Sequence, residues 1–134
     1  MAGPLSVFDI AGRAMSAQLV RLNTTASNLA NAGSIASSKE TAYRALKPVF
    51  KTASDAPGVA TVDVTDVVNT DAEPTKRHDP SNPMADQDGN VWEAGVDSAA
   101  ELVEMIESAR QYQNNVQVMQ TAKTLTLDTL RLGK

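Results

Sequence analysis

The sequence predicts a mainly α-helical protein in which two long terminal helices flank a small β-rich insert. Apolar residues recur every three or four positions near both ends of the 134-residue chain, which is the spacing of one helical face. Five of the six prolines lie between positions 48 and 83, where they exclude a continuous helix. Aromatic residues make up only 4 % of the chain, so large core side chains are scarce.

The first helix is expected from about residue 5 to residue 31, with Pro4 at its start and Gly33 at its stop. At about 1.5 Å per residue such a helix is roughly 40 Å long. Its apolar stripe alternates steps of four and three residues, the pattern of a helix that meets a partner helix. The stripe comprises Phe8, Gly12, Met15, Leu19, Leu22, Ala26 and Leu29.

The middle of the chain changes character. Small and polar residues at 32–42 predict a flexible loop, and β-type runs at 45–52 and 59–68 predict two strands. A turn at Asp88-Gly89-Asn90 precedes Val91-Trp92. The interpretation is a loosely packed β-rich insert over residues 45–94.

Two large aromatic residues are the expected anchors of that insert, Phe50 and Trp92.

The last helix is expected to begin with Asp97 or Ser98 as N-cap, to carry Glu101 in its first turn, and to end at Gly133. About 35 residues would span on the order of 50 Å, whereas helices of globular proteins average near 12 residues. Such length favours a coiled coil or a fibre-like packing. Its stripe runs through Leu102, Met105, Ile106, Ala109, Tyr112, Val116 and Met119, and drifts to Leu127 and Leu130.

These patterns divide the chain into two parts. Residues 1–33 and 96–134 are expected to pair as a coiled-coil-like core of a helical assembly. Residues 34–95 form the loop and the small β-rich insert. The length suffices for one modest core and not for two.

Composition excludes several classes of function. The net charge of −4 argues against a nucleic-acid partner, because phosphate binding needs a basic surface. No cysteine is present, so disulfides and thiol chemistry are excluded. No run of about 18 apolar residues occurs, which predicts no membrane insertion. The first residues lack a charged region followed by an apolar run, which predicts no cleaved secretory signal.

No constellation in the sequence predicts catalysis, a cofactor or a metal ion. His78 is the only histidine, and the carboxylates nearest to it, Asp79 and Asp86, are typical of a solvated turn. The sequence from Asp86 onward lacks the glycine and glutamate positions of a calcium loop. A row of glutamates on the last helix (Glu101, Glu104 and Glu107) is interpreted as its solvent-exposed face.

Amide side chains are frequent on both helices, although Asn is a poor helix former. They include Asn28, Asn31, Gln113 and Asn114. Two interpretations stay open on the residues alone. The amides are ordinary surface, or they lie between packed subunits, where a buried amide fixes register.

Four stretches resemble one family. ASNLANA at 26–32 resembles the signature of bacterial flagellar rod and hook axial proteins. YRA and VF within 43–50, DPSNPMAD with the following Gly and Val at 79–91, and VD, EM and SARQYQNNV within 96–116 resemble the C type of proximal rod protein. Asn115 departs from the family, which commonly has Ala there.

The resemblance implies a structural, non-enzymatic role. Members of this family build the proximal rod, a hollow shaft through the periplasm that transmits torque and passes exported subunits. The implied partners are copies of the chain, other rod subunits, the base ring or export-gate adapter at the proximal end, and the flagellar type III export apparatus. Export from the cytoplasm would need no cleaved signal, and the termini would fold on assembly.

The residues expected to pack subunits together are members of the two stripes and the amides beside them: Phe8, Met15, Leu19, Leu22, Ala26, Asn28, Leu29, Asn31, Leu102, Met105, Ile106, Ala109, Tyr112, Gln113, Asn114, Val116, Met119, Leu127 and Leu130. Two alternatives remain at this point. One is another rod or hook-junction subunit, and the other is a helical export chaperone.

Overall fold

The computed structural model describes residues 6–133, with a long helix at each end and strands between them. The prediction of helical ends around a small β-rich insert is confirmed. The elements in chain order are α1 (Val7–Asn31), β1 (Ile35–Ala36), β2 (Leu46–Ala56), β3 (Val59–Asn69), β4 (Thr75–His78), β5 (Asn90–Glu93) and α2 (Ser98–Leu132).

A capping box starts α1. The Ser6 hydroxyl accepts the Asp9 N–H at 3.2 Å, and the Asp9 carboxylate accepts the Ser6 N–H at 3.0 Å. The helix ends at Asn31, with Ala32 as its C-cap, just before the predicted stop at Gly33. Pro4, the predicted start, lies outside the described residues.

The 35 residues of α2 match the predicted length. Asp97, one of the two predicted candidates, is the N-cap, because its carboxylate accepts the N–H groups of Ala99 and Ala100 at 3.1 and 3.2 Å. Gly133 ends the helix as predicted, with its N–H donating to the Thr129 carbonyl at 3.1 Å.

The insert consists of two separate antiparallel sheets. Strands β2 and β3 form a hairpin of 11-residue strands, and β1, β5 and β4 form a three-stranded sheet in that order. The hairpin turns at Pro57-Gly58, where Gly58 has a φ of +79° that favours glycine. The two predicted β-type runs are confirmed within β2 and β3.

The structure of the insert differs from the predicted one in two details. The segment 32–42, interpreted as a flexible loop, contains β1, which pairs with β5, and it buries Ala36 and Ala42. Strand β4 was missed because its four residues are all exposed and polar, so no alternation marks them. Its partner β5 is far away in sequence, and only the folded chain brings them together.

The expected anchors of the insert were also wrong. Phe50 is 40 % exposed on the hairpin. Trp92 is half-buried and lies 6.0 Å from the Lys76 ammonium. Val91, on the central strand β5, is the fully buried side chain of the insert.

The insert and the helices meet where residues 43–46 cross residues 94–96, a crossing that is called the junction below. Gly95 accepts the Ala45 N–H at 3.2 Å and donates its own N–H to the Tyr43 carbonyl at 2.9 Å. A Cβ on Gly95 would lie 2.5 Å from the Ala72 carbonyl oxygen. Only glycine therefore fits this crossing without a shift of backbone.

Candidate assembly surface

The two helices lie side by side and run antiparallel. At one end the Arg21 guanidinium donates to the Glu104 carboxylate at 2.7 Å. Toward the other end Phe8 and Met15 share a groove with Val116 and Met119. Since α2 has ten more residues than α1, it is roughly 15 Å longer.

Small residues lie at the most buried positions of the helices. On α2, Ser108 is fully buried, and its hydroxyl donates to the Glu104 carbonyl at 2.7 Å. Ser108 follows Glu104 by four residues, so both lie on the side that faces α1. The hydrophobic stripe did not reveal this residue, although Ser108 belongs to one of the recognised stretches.

One glutamate of the predicted row on α2 does not lie on the solvent side. The sequence assigned Glu104 to the solvent-exposed face of the last helix, but it faces α1 and forms an ion pair with Arg21. Helical periodicity alone assigns a carboxylate to solvent by default, and only the packed structure shows the guanidinium opposite it. The side chains of Arg21 and Glu104 remain 24 % and 40 % exposed, so solvent weakens the pair.

The predicted stripe of α1 lies at the edge of the helix pair. Met15, Leu22, Leu29 and the amide Asn31 are half-buried, whereas Phe8, Leu19 and Ala26 are exposed. The most buried side of α1 is a different face, with Ala17, Thr24 and Asn28 toward the hairpin. That face is small or polar, so a search for large apolar residues passes over it.

The predicted stripe of α2 is divided in the same way. Five of its residues are half-buried, namely Met105, Ala109, Tyr112, Val116 and Met119. The others are exposed in the single chain, namely Leu102, Ile106, Gln113, Asn114, Leu127 and Leu130. The structure therefore brings part of each stripe together and leaves the remainder uncovered.

Asn28 is the predicted site residue that the structure corrects most clearly. Its side chain is 1 % exposed and is occupied within its own chain. The amide donates to the Leu46 carbonyl at 2.9 Å and accepts the Leu46 N–H at 2.8 Å and the Tyr43 hydroxyl at 2.9 Å. It cannot also lie between subunits, so it leaves the set of expected packing residues.

The chain exposes more surface than its mass requires. Its accessible surface is 8886 Å². A compact monomer of 14.2 kDa is expected to expose about 6,800 Å². The difference of about 2,100 Å² exceeds the roughly 800 Å² that one partner contributes to an ordinary interface.

Much of the exposed surface on the helices is apolar. Val7 and Phe8 of α1 form an open groove of about 620 Å³ with Val118, Ala122 and Leu125 of α2. Beyond Ala122 every residue of α2 is exposed, including Leu127, Leu130 and Leu132. Exposed apolar patches of this kind mark surfaces that bind another protein.

The residues considered for chemistry are engaged locally. His78 ends β4, and its Nδ1 lies 3.2 Å from Asn90 Oδ1. The Ser81 hydroxyl donates to Asp79 and lowers the pKa of that carboxyl below its ordinary value. Among residues 6–133 no group of three or more histidines and carboxylates could hold a metal ion.

Comparison with known proteins gives matches over nearly the whole chain. The family model for flagella basal body rod proteins matches residues 8–32, and the model for the C-terminal part of flagellar basal body rod FlgEFG proteins matches residues 87–132. The chain is 45 % identical to the flagellar basal-body rod protein FlgC of Escherichia coli O6:H1, over 97 % of this chain and 98 % of that protein. Identity is 43 % to FlgC of Salmonella typhimurium with the same coverage, and 33 % to FlgC of Aquifex aeolicus over 96 % of each chain.

The chain belongs to the FlgC family of flagellar basal-body rod proteins. The resemblance seen in the sequence is thereby confirmed, and so is the predicted role as a structural subunit of the flagellar basal-body proximal rod. The relatives are structural rod proteins, so the prediction that this chain is not an enzyme is confirmed as well. The export-chaperone alternative is set aside by the same finding. None of the helices within residues 6–133 is long and apolar enough to cross a membrane.

Proposed function

We propose that the chain polymerises through its terminal helices into the wall of the rod. In this proposal residues 1–33 and 96–134 form a coiled-coil-like axial core, and residues 34–95 lie outside it. The stripes of α1 and α2, with the exception of Asn28, pack against copies of the chain and against other rod subunits. The resulting hollow shaft transmits torque and passes exported subunits.

The observation that carries this proposal is the apolar surface left uncovered on the helix pair. Ile106 is 62 % exposed on the part of α2 whose opposite side is packed, and Leu125 is equally exposed beyond that part. Burial of such side chains is the main favourable contribution to association. The excess of about 2,100 Å² accommodates more than one neighbour, which a polymer requires and a closed dimer does not.

The thin interior also supports export of the chain in an unfolded state. Within the described residues, the largest fully buried side chains are Val91, Asn28 and Ser108. Few apolar contacts would have to be broken before passage through the flagellar type III export apparatus. Delivery into the periplasm and attachment to the base ring or export-gate adapter are further parts of the proposal.

The proposal is tested by introducing a negative charge at exposed apolar residues of α2. Ile106→Asp and Leu125→Asp should leave the stability of the free chain within about 0.5 kcal/mol, because both positions are exposed. They should nevertheless abolish swimming in a strain that lacks its own copy, because a buried carboxylate without a partner disfavours assembly. Swimming on soft agar and isolated basal bodies measure the effect.

Thr124→Asp is the matched control, since Thr124 is an exposed polar residue on the same helix and lies outside the two grooves described above. We expect this strain to swim. Normal basal bodies in the Ile106→Asp strain would contradict the proposed packing surface.

A further inference from the structure

The buried amide of Asn28 fastens the hairpin to α1. Its two hydrogen bonds with the backbone of Leu46 reproduce the pairing of two strands, with one donor and one acceptor on each side. Leu46 is the first residue of β2, so the bonds hold the root of the hairpin. The Tyr43 hydroxyl completes the site, and it also lies 3.2 Å from the Ser27 hydroxyl. The set of bonds between Asn28, Tyr43 and Leu46 is called the clamp below.

The hairpin continues from the clamp along α1. Arg13 donates to the Thr61 hydroxyl at 3.1 Å, and Thr61 pairs with Ala53 across the hairpin. From Leu46 to Ala53 a strand advances about 23 Å, and from Asn28 back to Arg13 a helix advances about 22 Å. The equal distances mean that the hairpin lies alongside α1, with hydrogen bonds to the helix at its root and at Thr61.

The two attachments differ in strength. Arg13 also lies 3.6 Å from the Asp63 carboxylate, but their side chains are 38 % and 47 % exposed, so water and salt screen the interaction. The clamp is neutral, its central amide is 1 % exposed, and two of its three bonds are to backbone atoms. A buried polar group of this kind tolerates little displacement, because each lost bond leaves a donor or acceptor unsatisfied.

We propose that Asn28 is the positioning residue that sets the direction of the hairpin against α1, and thereby the hairpin face that each copy presents to its neighbours in the rod. This inference rests on the proposed polymerisation. It gives the asparagine of the ASNLANA stretch a role inside the subunit. If the bonds at Leu46 were lost, exposed hairpin residues such as Val49 and Val67 would no longer face in a fixed direction relative to α1.

The hairpin direction can be measured in the free, full-length chain. No native cysteine is present, so Asn23→Cys and Ala60→Cys place two spin labels, one on α1 and one on β3, at exposed positions. Pulsed electron spin resonance should give one narrow distance distribution for the chain with the clamp intact. Asn28→Ala should widen that distribution at least twofold.

Asn28→Asp keeps the acceptor oxygen, but its second oxygen can donate a hydrogen bond only when the carboxyl is protonated. The ionised carboxylate cannot donate to the Leu46 carbonyl, but the protonated carboxyl can. The distribution of Asn28→Asp should therefore be wide while the carboxyl is ionised and become narrow again once acid protonates it, while the parent chain stays narrow throughout.

Asn31→Ala is the matched control for the distance measurement, because Asn31 donates only within its helix, to the Ser27 carbonyl at 2.8 Å. Its distribution should stay narrow. A distance distribution for Asn28→Asp whose width does not change with pH would overturn the clamp. This outcome decides the matter even if circular dichroism shows that Asn28→Ala is unfolded.

Swimming tests the second half of the inference. Strains with Asn28→Ala or Asn28→Asp should fail to swim. If the distribution widens and these strains swim normally, the clamp has no role in assembly, whereas the proposed packing surface still stands on Ile106→Asp. If Ile106→Asp also swims, the proposed function itself fails.

Discussion

The two ends of the helix pair are built differently. At the junction end, Asn28, Ala45 and Ala94 are buried, and backbone hydrogen bonds link segments from the whole chain. At the opposite end, called the free end here, α1 begins at Val7, and α2 continues to Leu132 with every residue after Ala122 exposed.

The difference separates two physical roles. The junction end is held by hydrogen bonds and small side chains, which suit a compact crossing of backbones. The free end has a set of leucines that no part of residues 6–133 covers, so its helical order depends on what packs against it. In the proposed assembly the junction end is complete by itself and the free end is completed by a neighbour.

The largest effect is expected from crowding the junction. Gly95→Ala should destabilise the chain by about 3 kcal/mol, because the new Cβ meets a backbone oxygen that cannot move aside alone. Gly12→Ala is the opposite case, since a Cβ there has open space and alanine favours a helix by roughly 0.5–1 kcal/mol. Urea unfolding measures both, and equal effects would contradict the close crossing at Gly95.

An intermediate effect should distinguish the junction end from the free end. Val91→Ala removes a fully buried side chain close to the junction and should cost about 2 kcal/mol. Leu132→Ala alters a residue that is 87 % exposed and should change the free-chain stability by less than about 0.5 kcal/mol. Similar losses in thermal unfolding would show that the free end is packed in the isolated chain.

The smallest effect concerns the cap at the start of α1. Hydrogen bonds from Ser6 hold the pKa of the Asp9 carboxyl below its ordinary value of 3.8. A lowered folded-state pKa contributes stability above the unfolded value, and the contribution is lost as pH falls through the folded value. The Tm difference between the parent chain and Asp9→Ala should therefore be positive near neutral pH and shrink on acidification. A difference that grows in acid would contradict the capping box.

Local features of the fold were predictable because their causes are local. The N-cap at Asp97, the end of α2 at Gly133 and the strands within 45–68 follow from side chains that act on neighbouring backbone. The family was also predictable, because ASNLANA and the longer stretches retain the residues of the proximal rod proteins. The assignment of individual packing residues remains a prediction, apart from Asn28.

What the sequence by itself determined is the presence of two long striped helices, the β-rich character of the insert and the membership of a rod family. Tertiary structure alone decided that Asn28 binds Leu46, that Glu104 meets Arg21, and that β4 pairs with β5. These contacts join residues between 12 and 83 positions apart, and the largest separation is that of Arg21 and Glu104. Hydrophobic periodicity reports only the direction of a side chain from its own helix or strand, so the partner of a polar group appears only when the chain has folded.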